Sequence, residues 1–187
     1  MLKKILIGLG AVLALLLIVI ALQPAKFRIE RSITMNAPPE AAFAQVNDFH
    51  AWSKWSPWEK LDPNLKRSYE GPTSGAGAKY AWVGNDDVGE GRMTIEKSQE
   101  PSQIDIELEF IKPFAATNTT IFTFAKTPEG NETTWAMEGE NSFMGKAFGL
   151  FMDMDSLVGK DFEKGLAAMK TAAESAPKTP TVANATP

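Results

Sequence analysis

The sequence predicts an α+β domain. A curved antiparallel sheet of about seven strands wraps on a long C-terminal helix, with one or two short helices after the first strand and a separate apolar helix at the N-terminus. Three observations carry this. Seven runs alternate apolar and polar residues at the period of a strand. Short turns rich in Gly, Pro and Asn join the last six of them in succession. From about Met144 the apolar period becomes helical and holds to about Ala173. Consecutive strands on short turns make an antiparallel meander, and an amphipathic helix is the cover that its apolar face needs.

The chain opens with Ile5–Leu22, eighteen residues without a charge, preceded by Lys3 and Lys4 and followed by Gln23-Pro24. As a helix it would span ~27 Å, about the hydrocarbon thickness of a bilayer. It is longer than the ~7–15-residue apolar region of a signal peptide, so an uncleaved single-pass anchor over residues 1–24 is expected, with a cleaved signal as the alternative. The short N-terminal flank favours an inner-membrane anchor with the domain on the extracytoplasmic side.

Phe27–Met35 alternates apolar and polar residues and reads as the first strand, and Ala37-Pro-Pro-Glu-Ala-Ala-Phe43 then starts a helix, with proline near its first position and Glu40 in its first turn. Asn47–Trp58 is a tryptophan-rich connector that Pro57 ends or kinks. Strands follow at Lys66–Glu70, Ala78–Val83, Gly91–Lys97, Gln103–Ile111, Asn118–Lys126 and Glu132–Glu140. The domain is expected over residues 25–175. The last twelve residues, 176–187, hold three prolines and one charge and are expected to be disordered.

Composition excludes much chemistry. The chain has 187 residues, no cysteine and one histidine, His50. Disulfides, thiolate sites, a cysteine nucleophile and multi-histidine metal centres are therefore out of reach. Beyond Lys3 and Lys4 the chain carries 17 basic and 23 acidic residues, a net −6, which argues against nucleic acid as a partner. Gly71–Gly77 lacks the lysine and helix start of a phosphate loop, and Asp86, Asp87 and Glu90 do not have calcium-loop spacing. No cofactor or metal is expected.

The strand followed by Ala37–Phe43, the run Trp52-Ser-Lys-Trp-Ser-Pro-Trp58, the run Gly75-Ala-Gly-Ala-Lys-Tyr-Ala-Trp82 and the terminal amphipathic helix resemble the SRPBCC superfamily. This is the START-like, helix-grip fold, and the nearest subgroup is the polyketide cyclase/dehydrase type. The resemblance covers about Phe27 to Glu174 and implies a cavity between the sheet and the last helix. That superfamily includes lipid carriers and cyclases, so a hydrophobic small molecule is the implied partner. No set of catalytic residues carries over.

Strand parity nominates the residues of the cavity wall. Tyr80 and Trp82 share a face, Met93 lies with Ile95, Phe110 continues Ile104, Ile106 and Leu108, and Trp135 pairs with Met137. Trp52, Trp55 and Trp58 recur every third residue, so they either staple the connector to the sheet or, through Trp55, reach a ligand. On a continuous helical wheel Phe148, Phe151, Met152, Phe162, Leu166 and Met169 form one stripe, and Asp155 falls inside it. A carboxylate facing an apolar interior must find partners or hold its proton. Asp155 is thus either a ligand-contacting or acid–base group, or a satisfied buried one. Three functions remain in view: a non-catalytic, membrane-anchored domain that binds a hydrophobic or amphipathic molecule, a cyclase/dehydrase-like enzyme using Asp155, and an interaction domain with a filled interior. The first is favoured, because a single candidate acid has no second catalytic partner.

Overall fold

Alternation sets the sheet, and short turns set its order. The computed structural model describes residues 1–176. The tail expected from residue 176 onward lies outside the described residues, except for Ala176. After α1 (Leu2–Ala21) come β1 (Lys26–Met35), α2 (Pro39–Asn47) and two 3₁₀ turns, Phe49–Lys54 and Pro57–Lys60. Then follow β2 (Lys66–Glu70), β3 (Lys79–Val83), β4 (Glu90–Gln99), β5 (Gln103–Lys112), β6 (Ala116–Thr127) and β7 (Gly130–Glu140), and finally α3 (Phe143–Gly149) and α4 (Met154–Glu174). The seven strands form one antiparallel sheet in the order β1-β7-β6-β5-β4-β3-β2. Only β1 departs from the meander, pairing with β7 from Lys26↔Glu140 to Met35↔Asn131.

One face of this sheet is apolar. Ile29, Ile95, Ile104, Ile106, Phe122 and Trp135 are all buried, and α4 covers them with Phe162, Leu166, Met169 and Ala173. Burying each large side chain is worth ~1.5–3 kcal/mol. The core runs from Ile29 to Ala173 and takes nothing from α1. Trp52 and Trp55 are stapled into it, their indole N–H groups donating to the Val46 and Gln45 carbonyls at 3.1 and 2.9 Å.

The C-terminal helix is two helices, against the expectation of one from Met144 to Ala173. The Asp153 carboxylate accepts the Ser156 amide at 3.0 Å and the Ser156 hydroxyl at 2.6 Å, capping a new helix. Ser142 caps α3 in the same way through the Gly145 amide. Residues 150–153 lie between the two, and the helical wheel loses its phase there. Phe151 is 82% exposed, which corrects its placement on the buried stripe.

α1 is long and apolar enough to cross a membrane and keeps only Ile20 buried. Its end is tied to the domain. The Lys146 ammonium of α3 donates to the Ala21 carbonyl at 3.3 Å, and the Asn141 amide donates to the Ala25 carbonyl at 2.6 Å.

Gly91 sits at a register shift between β4 and β5, where a Cβ would collide with the Trp82 ring and the Glu109 carbonyl. Gly91→Ala should lower unfolding free energy by about 1–3 kcal/mol in urea titration, since neither the ring nor the backbone has room to yield. Because the core owes nothing to α1, a chain starting at Lys26 should keep its near-ultraviolet circular dichroism.

Candidate ligand cavity

The inner face of the sheet and the first half of α4 do not meet completely. Between them is a cavity of about 250 Å³. The β3 strand supplies Tyr80 and Trp82, and β4 supplies Met93. Leu108 and Phe110 come from β5, Thr120 from β6, and Trp135 and Met137 from β7. Val158, Asp161 and Phe162 of α4 close one side, while Trp58, Glu59 and Val88 stand at another. The volume corresponds to about eight molecules of liquid water. It lies just under the ~300–1,000 Å³ of drug-sized sites. Met93 and Met137 give the wall some ability to reshape.

Parity therefore places six nominated residues together on this wall: Tyr80, Trp82, Met93, Phe110, Trp135 and Met137. Trp55 stands behind it. Only 2% exposed, it meets Trp135 and Phe122 edge to face at 5.5 and 6.1 Å, so it supports the wall without lining it. Both faces of Trp135 are covered, by Phe162 at 4.1 Å and Phe122 at 5.0 Å, and Trp58 meets it nearly perpendicular at 5.7 Å. Its indole N–H has no oxygen partner among the described residues.

Asp155 is elsewhere. Its side chain is 57% exposed and grips the Arg31 guanidinium with both oxygens, at 3.1 and 2.9 Å. The inward placement drawn from the helical wheel is corrected here, for a different reason from that of Phe151. Asp155 does share a side of α4 with Phe162, seven residues on, but at the first turn that side meets the Arg31 guanidinium of the edge strand β1 and not the cavity. The hydrogen bond from Arg31 holds this carboxyl below its usual range, so Asp155 is a permanent anion and a poor acid. Arg31 reaches it by crossing α4 at Gly159, where a Cβ would collide with the guanidinium, and also bonds Glu163 at 3.0 Å.

Of the carboxylates that line the cavity, Asp87, Asp161 and Glu59, the most deeply buried is Glu59. Its side chain is only 6% exposed, accepts from Tyr80 Oη at 2.6 Å and from Arg67 Nε at 2.6 Å, and so gives a mostly apolar space a buried polar corner. Burial, then the bond to Glu59, pushes the Tyr80 phenol well above its ordinary value, so Tyr80 stays a donor at any physiological pH. Glu59 was not legible in the sequence. It sits in a polar connector, and the two groups that bury it lie eight and twenty-one residues downstream. A trough on the outer face of β2–β5 is larger, about 540 Å³, but it is lined by charged residues such as Glu70, Lys79, Glu96 and Glu107.

Residues 26–174 match the family described as "Polyketide cyclase / dehydrase and lipid transport". The chain belongs to that family, which is of the SRPBCC, helix-grip type. No curated protein matches it. Among solved structures it is similar to protein CV1439 from Chromobacterium violaceum, with 16% identity over 82% of this chain and 100% of that one, at a TM-score of 0.57. It is also similar to SA2116 of Staphylococcus aureus, a protein of unknown function, with 12% identity over 81% of this chain and 96% of that one, at a TM-score of 0.60. The di-domain aromatase/cyclase BexL of the BE-7585A biosynthetic pathway matches at 14% identity and a TM-score of 0.61, over 85% of this chain and 53% of its own length. Likeness at these identities concerns the fold alone.

Asp155→Asn should leave the cavity intact and act only on stability. A carboxyl whose folded-state pKa is depressed adds stability above its ordinary value of 3.8, and that stability is lost as pH falls through the lower folded value. The variant should therefore be less stable than the parent at pH 7. Its thermal midpoint should fall less steeply between pH 5 and pH 2, as followed by circular dichroism at a series of pH values.

Proposed function

We propose that this chain is a membrane-tethered binding domain that holds a small hydrophobic or amphipathic molecule between its sheet and α4 without catalysing a reaction on it. The observation that carries the reading is the cavity itself, about 250 Å³ of mostly apolar space with a buried polar pair at Glu59 and Tyr80. Such a space accepts a mostly apolar body and orients it by one hydroxyl or carbonyl group. Phe110, Met93, Met137, Trp82 and Trp135 would hold the body, and Tyr80 would set its direction. The description of the family as including lipid transport supports this reading.

The cyclase-like alternative rested on Asp155, which points away from the cavity and is engaged by Arg31. Glu59 does not replace it, because both of its oxygens already hold partners. The anchor is part of the proposal. α1 would supply the span, with the domain on the extracytoplasmic side of the inner membrane.

Four of the five tryptophans, Trp52, Trp58, Trp82 and Trp135, border the cavity and report on its occupancy. Titrating the chain from Lys26 with 1-anilinonaphthalene-8-sulfonate or a medium-chain fatty acid should quench their emission saturably. Leu108→Trp, which fills the space from β5, should weaken that binding at least tenfold while the fold survives. Equal binding by the filled variant would mean the probe sits elsewhere. Full-length protein should stay with membranes through high-salt washing, because a spanning helix is held by burial. A native chain recovered soluble, with a new N-terminus near Leu22, would show cleavage instead.

A further inference from the structure

Among the described residues, a group of exposed apolar side chains outside α1 lies on α3, the connection after it and the start of α4. Phe143, Met144 and Phe148 belong to α3, Phe151 and Met152 follow in the connection, and Met154 and Leu157 open α4, all at least 44% exposed. Phe114, 69% exposed, joins from the β5–β6 connection, its ring 6.3 Å from that of Phe148. Patches of this extent on a soluble surface mark a docking site.

Two features say what covers it. The first is the foot of α1. Lys146, in the middle of α3, donates to the carbonyl of Ala21, the last residue of the apolar helix. Asn141, just ahead of α3, is bonded to the backbone of Ala25. The level at which α1 ends is therefore the level at which α3 is held. The second is charge. Of the two carboxylates beside the patch, Asp155 is offset by the Arg31 guanidinium, and Asp153 is turned to the Ser156 amide and hydroxyl as a helix cap. Lys146 is the one charged residue of α3.

This surface also runs to the cavity. Phe114 follows Pro113, the Lys112–Pro113 backbone lies directly against Gly89, and the neighbouring Val88 lines the cavity. On the other side Leu157 precedes Val158, which lines it as well.

We propose that α3, the 150–154 connection and Phe114 lie in the interface of the bilayer that α1 spans, so that the mouth of the cavity at Val88 and Val158 opens beside lipid. The partner is the membrane itself, and the ligand is an amphipathic molecule dissolved in it. The proposal rests on the anchored reading above and adds an orientation to it. An amphipathic helix lying in the interface needs an apolar face and flanking cations. Here α3 has the apolar face and a single cation, Lys146, whose tie to Ala21 sets the helix at the depth where α1 ends.

The chain contains no cysteine, so single-cysteine variants label cleanly. Full-length protein in phosphatidylglycerol/phosphatidylcholine vesicles would carry the environment-sensitive dye NBD at Leu13→Cys in α1, at Met144→Cys, Phe151→Cys or Phe114→Cys on the patch, or at Glu129→Cys on the β6–β7 turn. All are surface positions. The expected result is quenching by doxyl-labelled lipid, with protection from iodide, at position 13 and at all three patch positions, and the reverse at position 129. Lipid quenching at 13 with iodide quenching at 144, 151 and 114 would overturn the docked orientation and leave the anchor standing. Aqueous behaviour at 13 would overturn both. Protection of the patch from both quenchers would mean that protein covers it, a second copy or another chain, and would equally refute the membrane as occupant.

Discussion

Arg31 lies flat across α4 at Gly159, and the setting of the cover helix depends on that crossing. The guanidinium bonds Asp155 one turn before the glycine and Glu163 one turn after it. Only a residue without a side chain lets the arginine pass so close to the helix. With the clamp closed, α4 has one rotational setting. Phe162, Leu166 and Met169 then face the sheet while Asp155 faces water. Exposed ion pairs are individually weak, and this one matters through geometry more than through energy. The apolar stripe supplies the free energy of docking, and the clamp selects the angle at which it docks.

That angle explains where the cavity is. The second half of α4 packs down on the sheet and on α2, with Met169 and Ala173 fully buried. Toward its start the helix presents Val158 and Asp161 over Met137, Thr120 and Leu108, which are too small to bridge the gap. The stacked column Phe162–Trp135–Phe122 forms the boundary between the filled and unfilled parts. Aromatic stacking fixes ring planes as well as distances, so this boundary is stiffer than an aliphatic one. The space is a consequence of helix setting and ring stacking together.

The architecture was legible because each strand records its own burial at period two, and short turns leave little choice of neighbours. Parity alone brought Tyr80, Trp82, Met93, Phe110, Trp135 and Met137 to one wall. What misled was continuity. A wheel drawn through Phe148, Phe151 and Phe162 assumes one helix, while Asp153 has a cap to make and begins another. Phe151 was misplaced for that reason, whereas Asp155 has the phase the wheel gave it and is held outside the cavity by Arg31 at the sheet edge. Glu59 shows the opposite limit. Its burial is created by Arg67 and Tyr80 across the sheet edge, and nothing in the residues around it announces that. Trp55 was correctly read as apolar, yet sequence could not say whether it would line the space or stand behind it.

Only residues 22–25 separate the end of α1 from the start of β1. Fully extended, four residues reach at most ~14 Å. For a chain held in a bilayer by α1, the domain has no freedom to range outward, and its working volume is a thin shell above the headgroups. A soluble donor or acceptor would have to come to that shell, whereas anything diffusing in the plane of the membrane passes within reach continually. Under the proposed anchoring, the search for a ligand would thereby be reduced from three dimensions to two.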